Sequence, residues 1–150
     1  MPALILVHRG GFAADCWDLT IGEINRLEPE LTVLALDLPG RRNKPGDLRE
    51  MAIADYVDSL VDDIQRSGLE EMILVGHSMG GITLPGVLAK LGATRVRETI
   101  FAAAFLPPVD TSIVESSPWV IRTVARRIAT KNVPTPTPKL MARLSTATEY

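Results

Sequence analysis

The sequence is short of metal- and redox-active side chains: one cysteine and two histidines in 150 residues. Cys16 alone cannot close an internal disulfide. With His8 and His77 it is also too small a set for a Cys-cluster zinc centre or a dedicated transition-metal site. The reading is therefore of a chain with no metal and no cofactor. An excess of one charge is missing as well. Sixteen Lys+Arg stand against 18 Asp+Glu, a net charge of -2, which excludes a nucleic-acid binder that works by bulk positive charge. Long apolar runs are absent. Ala3–Val7 is followed by His8-Arg9-Gly10-Gly11, and Ile100–Val109 holds two prolines. A bilayer span needs about 20 apolar residues and a signal peptide needs a basic start. A soluble cytoplasmic protein that binds no membrane is expected.

What is present alternates between two hydrophobic periods. Four runs are apolar on both faces: Ala3–Val7, Leu31–Leu36, Met72–Val75 and Thr99–Phe105, each stopped by glycine or proline or a turn containing them. Such runs suit a parallel sheet covered by helices. Between them, Ala52, Ile53, Tyr56, Val57, Leu60, Val61 and Ile64 recur at helical spacing, and Ser67-Gly68 ends that helix. Met79–Leu91 predicts a buried helix kinked at Pro85. Asp15–Leu27 predicts another helix, with Trp17, Ile21, Ile24 and Leu27 as its buried stripe. The order is strand, helix, strand, helix, strand, helix, strand, an α/β pattern of about four parallel strands. Residues 1–110 read as this core. Residues 111–150 read as an appended helical segment: a basic helix over 116–129, an extended Pro-rich joint at 133–138 and a short helix over 139–148.

One stretch carries chemistry. Gly76-His77-Ser78-Met79-Gly80 fits G-x-S-x-G and lies between a predicted strand and a predicted helix. Glycines let the chain turn sharply and lift the Ser78 hydroxyl to a helix N-terminus, where developing negative charge is favoured. The other reading of the same residues is a glycine-rich turn in which Ser78 merely caps the helix.

The chain resembles the α/β-hydrolase superfamily. Within it, the similarity is to the esterases and lyases related to plant methyl esterases and hydroxynitrile lyases. The residues that carry the resemblance are Leu4–Phe12, Leu34–Gly40, Gly76–Gly81 and Phe101–Pro107, in that order. It implies a partial α/β-hydrolase fold with the start of a helical cap, and a small-molecule, ester-like substrate. It further implies that Ser78 is the nucleophile and that the N–H groups of Gly10 and Met79 form the oxyanion hole. His8 corresponds to the family's structural histidine. Phe12, His77 and Leu106 fall at the substrate pocket, with Trp17 beside them. Where the family usually has glycine after His8, this chain has Arg9. That side chain is expected in solvent; otherwise it narrows the pocket or binds an acidic substrate.

A serine needs a base, and in this family the triad follows the order Ser, acid, His. No histidine follows Ser78. His77 is expected to pack or hydrogen-bond locally. Asp110 stands where some family members place the acid, and Asp37 where the family shapes a turn. The expectation is that residues 1–150 are the N-terminal part of a longer hydrolase whose histidine lies elsewhere. Two alternatives remain: a non-catalytic small-molecule binding module or degenerate fragment, and hydroxynitrile-lyase-like chemistry on the same fold. Oligomeric state is left open.

Overall fold

The computed structural model describes residues 1–42, 44–48, 50–108 and 119. Met1–Leu106 forms one compact unit, separate from Pro107–Tyr150. Its elements follow in the order β1 (Ala3–Val7), a 3-10 turn (Ala14–Trp17), α1 (Asp18–Leu27), β2 (Val33–Leu36), α2 (Ile53–Arg66), β3 (Met72–His77), α3 (Gly80–Leu91) and β4 (Val96–Ala102). The strands form one sheet in the order β2-β1-β3-β4, parallel at every pairing. This is the α/β architecture that the sequence pattern implies. The expected helices over 116–129 and 139–148, the joint at 133–138 and the candidate acid Asp110 lie outside the described residues, apart from Trp119, which is helical and exposed.

Register decides which residues share a face. Ala3 pairs with Met72, Ile5 with Leu74 and Val7 with Gly76, so these point to one side of the sheet. On that side α2 presents Val57, Leu60, Val61 and Ile64, and α3 presents Leu84, Val87 and Leu91. All join Ile5, Val7, Met72 and Leu74 in a single buried cluster. The ends of α2 are built from local chemistry. The Asp55 carboxylate accepts the Ala52 N–H at 2.7 Å, which suits the positive end of the helix dipole. At the other end the Ser67 hydroxyl donates to the Ile64 carbonyl at 2.7 Å, and Gly68 follows at φ +70°, the usual left-handed stop.

The opposite face carries Leu4, Leu6, Ile73, Val75 and His77, extended by Val33 and Ala35 on β2 and Ile100 on β4. Only Leu6 among them is fully buried. The stripe expected to cover this face is not sealed. Trp17, Ile21 and Ile24 are half-buried, whereas Leu27 is 58% exposed and Leu19 is 91% exposed. Trp17 itself lies in the 3-10 turn Ala14–Trp17 ahead of α1 rather than within the helix.

The fourth strand also differs from expectation. It runs Val96–Ala102 rather than Thr99–Phe105. As an edge strand it tolerates the exposed pair Arg97 and Glu98. It stops where Ala103 turns to φ +43°, which releases Phe105 from the sheet.

Candidate active site

All four strands are parallel, so their C-terminal ends lie together, and there the candidate residues gather. β3 ends at His77 and α3 begins at Gly80. Ser78 makes the turn between them at φ +52°, left-handed backbone that a non-glycine residue adopts at a cost of about 1–3 kcal/mol. The close fit of strand to helix explains Gly76. A Cβ at Gly76 would lie 2.6 Å from Leu84 Cδ1 and 3.0 Å from the Gly80 carbonyl carbon. The helix N-cap position is Met79, with no side-chain cap. The Ser78 hydroxyl therefore does not serve as the cap, and among the described residues it has no hydrogen-bond partner.

The backbone around Ser78 is tied down on two sides. Its carbonyl accepts N–H groups from Gly81 at 3.1 Å and from Phe105 at 2.9 Å. Phe105 packs so close that a Cβ at Gly81 would stand 2.3 Å from its carbonyl oxygen. This latch between the turn and the chain after β4 was not foreseen. The second glycine of Gly80-Gly81 is its sequence signal. Leu106, the next residue, is 54% exposed.

Gly10 lies beside Met79: a Cβ built on it would sit 3.3 Å from Met79 Sδ. β1 and β3 are neighbours in the sheet, so the loop after Val7 and the turn after His77 meet. Neither the Gly10 nor the Met79 N–H donates to any partner among the described residues. The loop after β1 thus reaches the turn that carries Ser78.

The two histidines have separate environments. His8 is completely buried. Its Nε2 accepts the Leu38 N–H at 3.1 Å, which leaves Nδ1 to carry the proton and donate to the Arg9 carbonyl at 2.8 Å. Both nitrogens are engaged. Burial lowers its pKa, opposed by the Arg9 hydrogen bond and by the Asp37 carboxylate. The neutral ring holds the Arg9 carbonyl and the start of the β2 loop together, and it is not free to take a proton from Ser78. Asp37 pins the same region: Oδ1 accepts the Ala14 N–H at 2.7 Å and the carbonyl accepts Lys44 Nζ at 2.9 Å.

His77 is half-buried, and its ring meets Trp17 edge-on, centroids 6.3 Å apart. Partial burial, reinforced by the Arg9 charge, lowers its pKa. Among the described residues no hydrogen bond links it to Ser78. Phe12 is half-buried, with the Arg9 guanidinium carbon 3.7 Å from its ring centroid. Arg9 itself is half-buried rather than directed into solvent. No three acidic, histidine or cysteine side chains converge as metal ligands among the described residues.

Comparison with known proteins gives a consistent picture. Residues 4–148 match the model of the alpha/beta hydrolase family. The chloroplastic protein of Arabidopsis thaliana named methylesterase 11, a name given by inference, is 32% identical over 102 residues, 67% of this chain and 25% of its own length. An extracellular alpha/beta-hydrolase from a Paenibacillus species superposes with a TM-score of 0.77 at 25% identity, covering 91% of this chain and 56% of that one. It is described as sharing structural and functional homology with tobacco salicylic acid binding protein 2. A marine microorganism esterase gives a TM-score of 0.65 at 26% identity, covering 90% of this chain and 48% of that one. The chain thus spans about a quarter of the methylesterase and about half of each solved hydrolase.

Proposed function

Because the chain belongs to the alpha/beta hydrolase family, we propose that Ser78 is the nucleophile of a serine esterase acting on a small ester. One observation carries the reading: a serine at φ +52° in a strand-to-helix turn, with Gly10 of the neighbouring loop packed against Met79; the reading gives the Gly10 and Met79 N–H groups the role of oxyanion donors. In the reaction, Ser78 Oγ forms a bond to the ester carbonyl carbon and gives its proton to a base. The carbonyl oxygen gains the negative charge and takes hydrogen bonds from the two N–H groups. Collapse breaks the bond to the alcohol oxygen, which leaves with the proton from the base. Water then attacks the acyl-serine, the carboxylic acid departs and Ser78 regains its proton.

Neither histidine of this chain suits the base. His8 is committed through both nitrogens, and His77 packs on Trp17. The reading assigns the base to a histidine not among residues 1–150. It assigns residues 111–150 to the start of a cap, and Phe12, His77 and Leu106 to the pocket wall. Removing one oxyanion donor in such sites costs about 2.7–4 kcal/mol of transition-state stabilisation. The commitment of both histidines also favours a second reading, in which the pocket holds a small ligand without turning it over.

The test is p-nitrophenyl acetate hydrolysis and fluorophosphonate labelling of the protein as it occurs in the cell, with Ser78→Ala beside the wild type. Loss of both turnover and label in Ser78→Ala supports the esterase. Turnover that survives the substitution refutes it. A wild-type protein that binds small esters yet neither hydrolyses them nor takes the label supports the binding module.

A further inference from the structure

The rim of this site is supplied with donors and short of acceptors. Arg9 is half-buried, and its guanidinium is stacked on Phe12 at 3.7 Å. Among the described residues no carboxylate pairs with it, although acids stand nearby. Asp15 is taken by Arg42 at 2.6 Å, and Asp37 Oδ1 by the Ala14 N–H. Arg9 directly precedes Gly10, which lies against the Met79 side chain next to Ser78, and its charge helps to lower the pKa of His77. Trp17 meets the His77 ring edge-on, and among the described residues its buried Nε1 has no acceptor. Among the described residues the Gly10 and Met79 N–H groups donate to no partner either.

We propose that Arg9 is the specificity-determining residue of the Ser78 site, and that the site selects small esters carrying a free carboxylate near the scissile carbonyl. This rests on the esterase reading and names its substrate class. Stacking on Phe12 holds the guanidinium plane while leaving its edge N–H groups free. That planar fork matches a carboxylate through two parallel hydrogen bonds, and because stacking has already ordered it, little freedom is lost on binding. Half-burial weakens solvent screening of the charge. The labour divides cleanly: the backbone N–H pair meets the charge that develops during reaction, and Arg9 meets the charge the substrate brings with it. A glycine at this position would leave the rim without that cation.

The experiment compares monomethyl succinate with dimethyl succinate, which differ by one carboxylate and share the ester. Each is titrated into the protein as it occurs in the cell, as wild type, Arg9→Gln and Arg9→Met, with binding read from the His77 ring and Trp17 indole NMR signals. Arg9→Met keeps a long stem over Phe12 without the charge, so the test does not depend on one variant folding. The wild type should bind the monoester at least tenfold more tightly than the diester. Both substitutions should abolish that preference, and added salt should shrink it. Equal affinity for the two esters, no measurable binding of the monoester, or a preference unchanged in the substituted chains would each overturn the proposal. Methanol release is followed in the same samples. Arg9-dependent binding without release leaves the recognition standing and removes the esterase. Release that ignores Arg9 and the carboxylate does the reverse.

Discussion

The two faces of one sheet are finished to different standards. On the first, residues from β1 and β3 interlock with α2 and α3, and Ile5, Leu60, Ile64, Met72, Leu74, Leu84 and Val87 are all completely buried. On the second, Leu6 is the sole strand residue so enclosed, Ile100 is 42% exposed, and α1 contributes no buried residue. The same strands serve both sides, so strand propensity cannot explain the contrast. The partners do: α2 contributes the buried residues Val57, Leu60, Val61 and Ile64, whereas α1 contributes none. Stability is concentrated on the first face, and the candidate chemistry hangs over the end that both share.

That contrast can be broken by substitution. The largest effect should come from the sealed face. Leu60→Ala or Leu74→Ala should cost about 2–5 kcal/mol, read as a lowered urea midpoint. Gly81→Ala should cost about 1–3 kcal/mol, because its new methyl group meets the Phe105 backbone. Unlike the core changes, it should also disturb the turn at Ser78, visible as altered Ser78 and Phe105 amide shifts in NMR. Ser78→Gly should act in the opposite direction and stabilise by about 1 kcal/mol, since glycine adopts φ +52° without strain. A thermal melt in which Ser78→Gly is less stable than Ser78→Ala would contradict the strained turn. At the small end, Leu19→Ser on the open face should change stability by no more than about 0.5 kcal/mol.

Acid should act through the neutral buried histidine. The folded-state pKa of His8 lies below its ordinary value of 6.5. The stabilisation from keeping it neutral is complete above that value and is lost as pH falls through the depressed folded pKa. Urea midpoints at successive pH values below 6.5 should therefore drop for the wild type. His8→Gln, which has no ring to protonate, should be less stable at neutral pH and show a shallower decline.

How much of this was legible beforehand follows from which signals are local. β1 has the bounds that its apolar run predicts, and α2 ends at the foreseen Ser67-Gly68 because that stop is written in two adjacent residues. The glycine spacing around Ser78 predicted the strand–turn–helix that is present. The misses depend on distant partners. Arg97 and Glu98 lie outside the apolar run Thr99–Phe105, and only the sheet order shows them on an edge strand. Leu27 reads as core until its helix is seen to lack a sealed face. Arg9 reads as a solvated cation, and only the fold shows its guanidinium over the Phe12 ring. The contact of Gly81 with Phe105 joins the first turn of α3 to the chain after β4, and no periodicity encodes it.

The bond from the Leu38 amide to His8 makes that amide a built-in reporter. Its proton can exchange with solvent only when the imidazole lets go, and a second proton on the ring removes the acceptor altogether. The deuterium-exchange rate of this single amide would therefore register each protonation of His8 long before the fold as a whole gives way. It offers a direct measure of how firmly the loops after β1 and β2 are clamped beneath the candidate site.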